Sequence, residues 1–129
     1  MMNDPIHLPG SELDIMLAVW NLPGEVTAPA ILGQLQRPLT ASALHSYLKR
    51  LEEKGFLRCE KQGKVNRYVP LIDQQAYQRQ ESKSILGKLY QGSLRHFAAA
   101  LHDGGALEAQ DIQELREYLD ELEQKEAQG

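Results

Sequence analysis

A chain of 129 residues is long enough for one domain with a core and an appendage, and too short for two ordinary domains. Its composition, 42% hydrophobic and 25% charged, is that of a folded protein, and no run approaches the roughly 18 apolar residues that a membrane-spanning helix needs. The first ten residues lack the basic-then-apolar pattern of a secretory signal, and the single cysteine, Cys59, excludes an internal disulfide. We therefore expect a cytoplasmic protein without a membrane segment.

The net charge of -4 hides an uneven distribution. Residues 39–70 contain seven basic and three acidic residues, a net charge of +4, whereas both flanking segments are acidic. A partner responds to a local patch rather than to the sum over the chain. The basic segment is therefore the first indication of function.

Three short helices are predicted at the start of the chain. Ser11 is expected to cap the first, whose buried stripe consists of Leu13, Met16, Leu17 and Trp20. Pro23-Gly24 ends it, and Thr27 caps a second helix with Pro29 in its first turn. The residues of this second helix that are predicted to be buried are Ile31, Leu32 and Leu35.

The third helix is expected to begin after Thr40, run to Lys54 and end at Gly55. Its inward side is formed by Leu44, Leu48 and Leu51. Residues 56–61 and 65–71 then have the composition of two strands joined by a tight turn at Gln62-Gly63-Lys64. Three helices followed by a hairpin predict a mainly α fold with a small β-hairpin, a winged helix-turn-helix over residues 8–72.

A helical region is predicted over residues 73–126. Asp73 opens a fourth helix with a break or bend near Gly92, and Asp103-Gly104-Gly105 forms a turn before a last helix. The apolar positions of the fourth helix are Tyr77, Ile85, Leu86, Leu89, Tyr90, Leu94, Phe97 and Leu101. Those of the last helix, spaced by three and four residues, are Ile112, Leu115, Leu119 and Leu122.

These C-terminal stripes need a partner, because the sequence has no further domain to cover them. A second copy of the chain is the natural partner, so residues 73–126 are predicted to form a homodimerisation region. The predicted interface consists of Leu86, Leu89, Tyr90, Phe97, Ile112, Leu115, Leu119 and Leu122. The alternative is that these helices fold back on their own winged helix.

The third helix is the candidate recognition helix. In a helix-turn-helix, the second helix of the pair enters the major groove, with polar side chains facing the bases and basic ones facing phosphates. The turn of the hairpin would lie against phosphates or in the minor groove. The predicted contacts to double-stranded operator DNA are Thr40, Ser42, Ala43, His45, Ser46, Lys49, Arg50, Lys64 and Arg67.

Other functions find less support in the sequence. An enzyme needs a nucleophile with a base, paired carboxylates or a metal site, and none occurs at an interpretable spacing. His96 and His102 lie six residues apart, off the i, i+4 spacing of a helical metal pair, so we expect no metal and no cofactor. The main alternative is a winged-helix protein-interaction module that does not bind DNA, although it leaves the basic hairpin unexplained.

Several segments, taken together, resemble the penicillinase-repressor family, BlaI/MecI. The resemblance covers roughly residues 8–122. It rests on Glu12–Met16, Val19-Trp20, Leu48–Leu57, Tyr68, Glu81-Ser82, Leu89–Ser93 and Ile112–Arg116. It implies a dimeric repressor of antibiotic-resistance-type operons that binds a palindromic operator. It also implies a partner, a membrane sensor or protease that relieves repression by cleavage.

The chain departs from the family pattern at three places. Leu39-Thr40, Ser42-Ala43 and His45 replace residues common at the start of the recognition helix, so we expect a different operator sequence. Ala100-Leu101 matches the position of the family's Asn-Phe cleavage site, which puts proteolytic release in doubt. Residues 123–129 contain no cysteine, so we do not expect the copper-sensing route of some relatives.

Overall fold

The chain forms three helices, a hairpin and three further helices over residues 7–129, the part that this computed structural model describes. The elements are α1 (Gly10–Asn21), α2 (Ala28–Gln34), α3 (Ala41–Glu53), β1 (Leu57–Gln62), β2 (Val65–Pro70), α4 (Gln74–Tyr90), α5 (Leu94–Asp103) and α6 (Ala109–Gln128). The predicted fold class, mainly α with a small β-hairpin, is confirmed. Residues 1–6, on which most of the secretory-signal prediction falls, lie outside the described residues.

Three of the four predicted caps are present. The hydroxyl of Thr27 accepts from Ala30 N at 3.3 Å, that of Thr40 accepts from Ala43 N at 3.1 Å, and the Asp73 carboxylate accepts from Ala76 N at 2.7 Å. The prediction for Ser11 is wrong. Helix α1 begins two residues earlier, after Pro9, which lies in the extended conformation, so Ser11 is already in the first turn.

The buried side of α1 also differs from the prediction. Its buried residues are Glu12, Ile15, Met16, Ala18 and Val19, whereas Leu13, Leu17 and Trp20 are only half-buried. Two polar contacts also join this helix to distant parts of the chain. The Glu12 carboxylate accepts from Lys54 Nζ, and the Trp20 indole N–H donates to the carbonyl of Ile72 at 2.9 Å.

The ion pair between Glu12 and Lys54 supports a stability prediction. Glu12 is 4% exposed, so Lys54→Ala leaves a carboxylate buried without its cation. Because Lys54 is itself partly exposed, we expect a loss of about 2–3 kcal/mol, at or below the low end of the range for a broken buried pair. Urea unfolding at neutral pH measures it. The control is Arg58→Ala, which breaks an exposed pair with Glu60 and should cost less than about 1 kcal/mol.

The hairpin is antiparallel, with Cys59 opposite Tyr68 and Gln62 opposite Val65. Gly63 has φ +62°, the left-handed conformation that a two-residue hairpin turn requires. Strand β1 begins and ends one residue later than predicted, whereas β2 begins where predicted and ends one residue earlier. Phe56 is instead a buried connector, whose N–H donates to Leu51 O and whose carbonyl accepts from Leu71 N. The loop before α2 is attached to β2, because Tyr68 N donates to Val26 O at 2.8 Å.

The described residues up to Ser82 form one compact unit, and Lys83–Gly129 form a second. In the first unit, Tyr77 of α4 lies with its ring centroid 5.8 Å from those of both Trp20 and Phe56. Its hydroxyl accepts from Leu8 N at 3.0 Å, and burial raises the pKa of this phenol above its usual value. The start of α4 is thus part of the winged-helix core. The functional division at residues 72 and 73 stays a prediction.

The second unit contains the predicted break. Gln91 and Gly92 have φ of 53° and 81°, which end α4, and the Ser93 hydroxyl caps α5 by accepting from His96 N. Helix α6 begins with a capping box in which the Glu108 and Asp111 side chains accept from each other's backbone N–H, a feature that was not predicted from the sequence. None of the described helices is long and apolar enough to cross a membrane.

The apolar stripes of the second unit remain uncovered in the single chain. No residue of the range 83–129, all of it described, is buried. Within the predicted interface, Leu86, Tyr90 and Phe97 are half-buried, and Tyr90 packs on Phe97 with ring centroids 5.1 Å apart. The exposed members are Leu89 (68%), Ile112 (39%), Leu115 (44%), Leu119 (46%) and Leu122 (38%).

Candidate nucleic-acid interface

Helix α3 presents a polar surface opposite its buried side. Leu44, Leu48 and Leu51 are at most 1% exposed and face the core. The helical period places the residues two before and two after Leu44 on the opposite side. The side chains that are exposed there are Ser42, His45, Ser46, Lys49 and Arg50. They are short or flexible hydrogen-bonding groups, as a helix that enters the major groove needs.

Two predicted contacts near the start of α3 have structural roles as well. Thr40 accepts the Ala43 N–H, yet a hydroxyl that accepts one bond can still donate its own proton to a phosphate. Ala43 is half-buried, so only part of its methyl group is available to a thymine methyl. Both residues lie where the chain turns into the helix.

A cavity of about 470 Å³ lies between α3 and the hairpin, and we call it the hairpin-side cavity. It is lined by His45, Lys49, Glu52, Glu53, Cys59, Asn66 and Tyr68. Tyr68 is buried, and this burial, with smaller charge contributions from Cys59 and Glu52, raises the pKa of its phenol.

A second cavity, of about 480 Å³, lies on the other side of α3, and we call it the α1-side cavity. It is lined by Pro9, Gly10, Ser11, Glu12, Asp14, Arg37, Tyr47 and Arg50. The guanidinium of Arg50 lies 5.5 Å from the centroid of the Tyr47 ring, close enough for a cation–π contact. Lys49 and Arg50, adjacent in sequence, thus line different cavities.

The basic residues around α3 divide into two groups. Three have a carboxylate within 4 Å: Lys54 with Glu12, Arg58 with Glu60 and Arg67 with Glu25. Five others lie within 4 Å of no carboxylate of residues 7–129: Arg37, Lys49, Arg50, Lys61 and Lys64. This second group is the set of cations available to phosphate.

The two predicted hairpin contacts, Lys64 and Arg67, differ from each other in their surroundings. Lys64 is exposed in the hairpin turn. Arg67 lies on the strand face opposite to Asn66 and Tyr68, where its Nε is 3.7 Å from Glu25 Oε1. Its contribution to a DNA surface is reduced by that carboxylate.

Three residues of this surface, Arg37, Tyr47 and Lys61, were not predicted from the sequence. Arg37 is exposed in the turn between α2 and α3, and it is the only basic residue among residues 1–38. Lys61 lies in register opposite Asn66, on the hairpin face that carries Tyr68. The period-two alternation of the strand could have identified Lys61, and the position of Arg37 inside the helix-turn-helix turn could have identified Arg37.

Metal ligands do not gather at this site or elsewhere in the described part of the chain. Across residues 7–129, no three His, Cys, Asp or Glu side chains lie together as a metal site would need. Cys59 is a free thiol and is half-buried.

Three helices followed by a hairpin, with a polar third helix at the surface, define a winged helix-turn-helix protein. Comparison with known proteins gives the family. The family model described as penicillinase repressor matches residues 8–121. The chain therefore belongs to the penicillinase repressor family, whose members are transcriptional repressors and not enzymes. The resemblance seen in the sequence is confirmed.

Two relatives compared by sequence agree with this assignment. The chain is 29% identical over 113 residues to the penicillinase repressor of Bacillus licheniformis, covering 86% of this chain and 88% of the relative. It is 25% identical over 121 residues to the methicillin resistance regulatory protein MecI of Mammaliicoccus sciuri, covering 92% and 98%. A solution structure of monomeric Bacillus licheniformis BlaI in complex with the blaP half-operator is 25% identical, with a TM-score of 0.48, covering 57% of this chain and 90% of that one.

Proposed function

We propose that this repressor binds double-stranded operator DNA through α3, with the hairpin turn against the sugar-phosphate backbone. The observation that carries the proposal is the exposed polar surface of α3, with cations on both sides that have no carboxylate partner within residues 7–129. Such a surface suits direct contact with base edges, while the cations suit phosphates. Repression then follows from occupation of the promoter.

We further propose that the protein acts as a homodimer in the cytoplasm. The support is the uncovered apolar surface of α6, where a stripe of apolar residues at helical spacing is between 38% and 46% exposed. A stripe of this kind is stable only when a partner covers it, and a second copy is complementary to it by symmetry. Two winged helices joined in this way would bind an inverted repeat with half-sites about 34–36 Å apart.

Repression must also be relieved when the regulated genes are needed. We propose that a sensor or protease partner is involved, but that it does not use an Asn-Phe bond, because Ala100-Leu101 lies inside α5 at the corresponding position. A protease would have to unwind the last turns of α5 to reach this bond. Mass spectrometry of the protein recovered from derepressed cells tests this. An intact chain would exclude cleavage, and a fragment ending at residue 100 would contradict our interpretation of the site.

The experiment that tests DNA binding is a pull-down of fragmented genomic DNA with the purified protein. Sequencing of the bound fragments should recover a discrete inverted repeat upstream of an operon. The Lys49→Ala/Arg50→Ala variant, used in parallel, should lose this enrichment. If the folded wild-type protein enriches nothing at low salt, the DNA-binding proposal fails, and the protein-interaction module becomes the better account.

A further inference from the structure

The cations that have no carboxylate within 4 Å in residues 7–129 lie on two opposite sides of α3. Lys49 lines the hairpin-side cavity, and Lys61 and Lys64 belong to the hairpin itself. Arg37 and Arg50 both line the α1-side cavity. The recognition helix is therefore bordered by positive charge on both sides, and not only on the side of the hairpin.

The dimensions of B-DNA suggest a role for the cations on both sides of α3. The major groove is about 12 Å wide, and a helix with its side chains is about 10–12 Å across, so a helix in the groove meets a phosphate backbone on each side. We propose that Arg37 and Arg50 form a phosphate clamp that holds the backbone on the groove edge opposite the hairpin. This inference rests on the proposed function, because it assigns the site a second backbone contact.

The chemistry of the α1-side cavity fits a phosphate. An arginine guanidinium presents two parallel N–H donors that match two phosphate oxygens. The Tyr47 ring beside Arg50 limits the positions that this guanidinium adopts, so less freedom is lost when it binds. The buried carboxylate of Glu12 does not compete, because Lys54 already donates to it. Asp14 also lines the cavity, but among the described residues it forms no ion pair with either arginine within 4 Å.

If Arg37 and Arg50 contact phosphates directly, their removal should change the effect of ethylation at particular phosphates. Long-range electrostatic attraction between protein and DNA would show no such dependence on position. The test is ethylation interference, in which binding is measured to duplexes that each carry one ethylated phosphate. The duplex spans about three helical turns and is first enriched by the wild-type protein from a random-sequence pool. Arg37→Ala and Arg50→Ala should each abolish interference at the same phosphates, on one edge of the groove. Lys64→Ala should abolish interference at a different set, on the other edge.

Binding at several salt concentrations gives a second readout. Arg37→Ala should weaken binding about tenfold at 0.1 M salt and reduce the salt slope by about 0.9 per lost contact, or about 1.8 per dimer. Arg37→Lys keeps the charge but not the paired donors, so it should keep the salt slope and lose part of the affinity. Arg58→Ala is the matched control, because Arg58 is exposed and already paired with Glu60. It should leave the interference pattern unchanged.

The outcomes separate this inference from the proposal on which it rests. If the wild-type protein enriches no duplex, the proposed function fails and the clamp fails with it. If wild type binds and Arg37→Ala retains the full interference pattern and the wild-type slope, the clamp is overturned while DNA binding stands. Loss at the same phosphates as Lys64→Ala would also overturn it, because both residues would then lie on one edge. Arg37 is exposed, so thermal unfolding should show that Arg37→Ala remains folded.

Discussion

Leu115→Asp combined with Leu119→Asp is expected to convert the proposed homodimer into a monomer and to weaken operator binding by at least about 100-fold. Both leucines lie exposed on the apolar stripe of α6, at 44% and 46% exposure. A carboxylate at each position would be buried against the partner without a cation, which is costly. Operator affinity falls because each winged helix would then bind its half-site alone. Sedimentation velocity measures the mass and fluorescence anisotropy the affinity.

The control for this variant adds the same charges on the other side of the helix. Gln113 and Gln124 are exposed on the face of α6 away from the leucine stripe. Gln113→Asp with Gln124→Asp should therefore leave the dimer and the operator affinity close to wild type. Circular dichroism of both double variants should show a folded winged helix, since no core residue changes. A stable dimer of the leucine variant would show that α6 is not the interface.

The second large effect is expected from Lys49→Ala combined with Arg50→Ala. A dimer would lose four charged contacts of roughly 1 kcal/mol each, so affinity should fall by about 1000-fold. We propose that these side chains bind phosphates and not bases, so the loss should be similar for every DNA sequence and the salt slope should shrink by about 3 to 4. Titrations of operator and unrelated duplexes at several salt concentrations measure both quantities.

A matched variant separates contact from net charge. Arg58→Ala with Arg79→Ala removes the same two charges per subunit, but Arg58 is paired with Glu60 and Arg79 lies on α4. We expect only a small loss of affinity and a nearly unchanged slope for this variant. Equal losses in the two double variants would mean that the overall charge, and not contact at α3, drives binding.

The fold was predictable from the sequence where local signals decide it. Thr27, Thr40 and Asp73 cap helices as expected, because a hydroxyl or carboxylate just before a helix can accept a hydrogen bond from a backbone N–H of the first turn. The hairpin and the break at Gln91-Gly92 likewise follow from turn chemistry that acts over a few residues. The order and approximate bounds of the winged-helix elements thus depend on residues close together in the chain, which is why the sequence alone predicts them.

The rest depended on contacts between residues far apart in the chain. The buried side of α1 includes Glu12, which pairs with Lys54, 42 residues later, and no local pattern shows that pairing. Arg67 counted as a free cation in the sequence, whereas the fold places Glu25 beside it. Arg37 and Arg50 line a common cavity only because α1 and the turn before α3 come together there. The candidate recognition helix was therefore predictable, and its electrostatic surroundings were not.

The bond between Tyr68 N and Val26 O has a kinetic consequence. It attaches the hairpin to the loop before α2, so the hairpin is held in place before DNA arrives. Little backbone entropy is then lost when this part of the hairpin meets DNA. The rate of association should accordingly be set by diffusion and electrostatic attraction and be similar for different operators. How long the repressor remains on each operator, and not how fast it arrives, would then determine which promoters it silences.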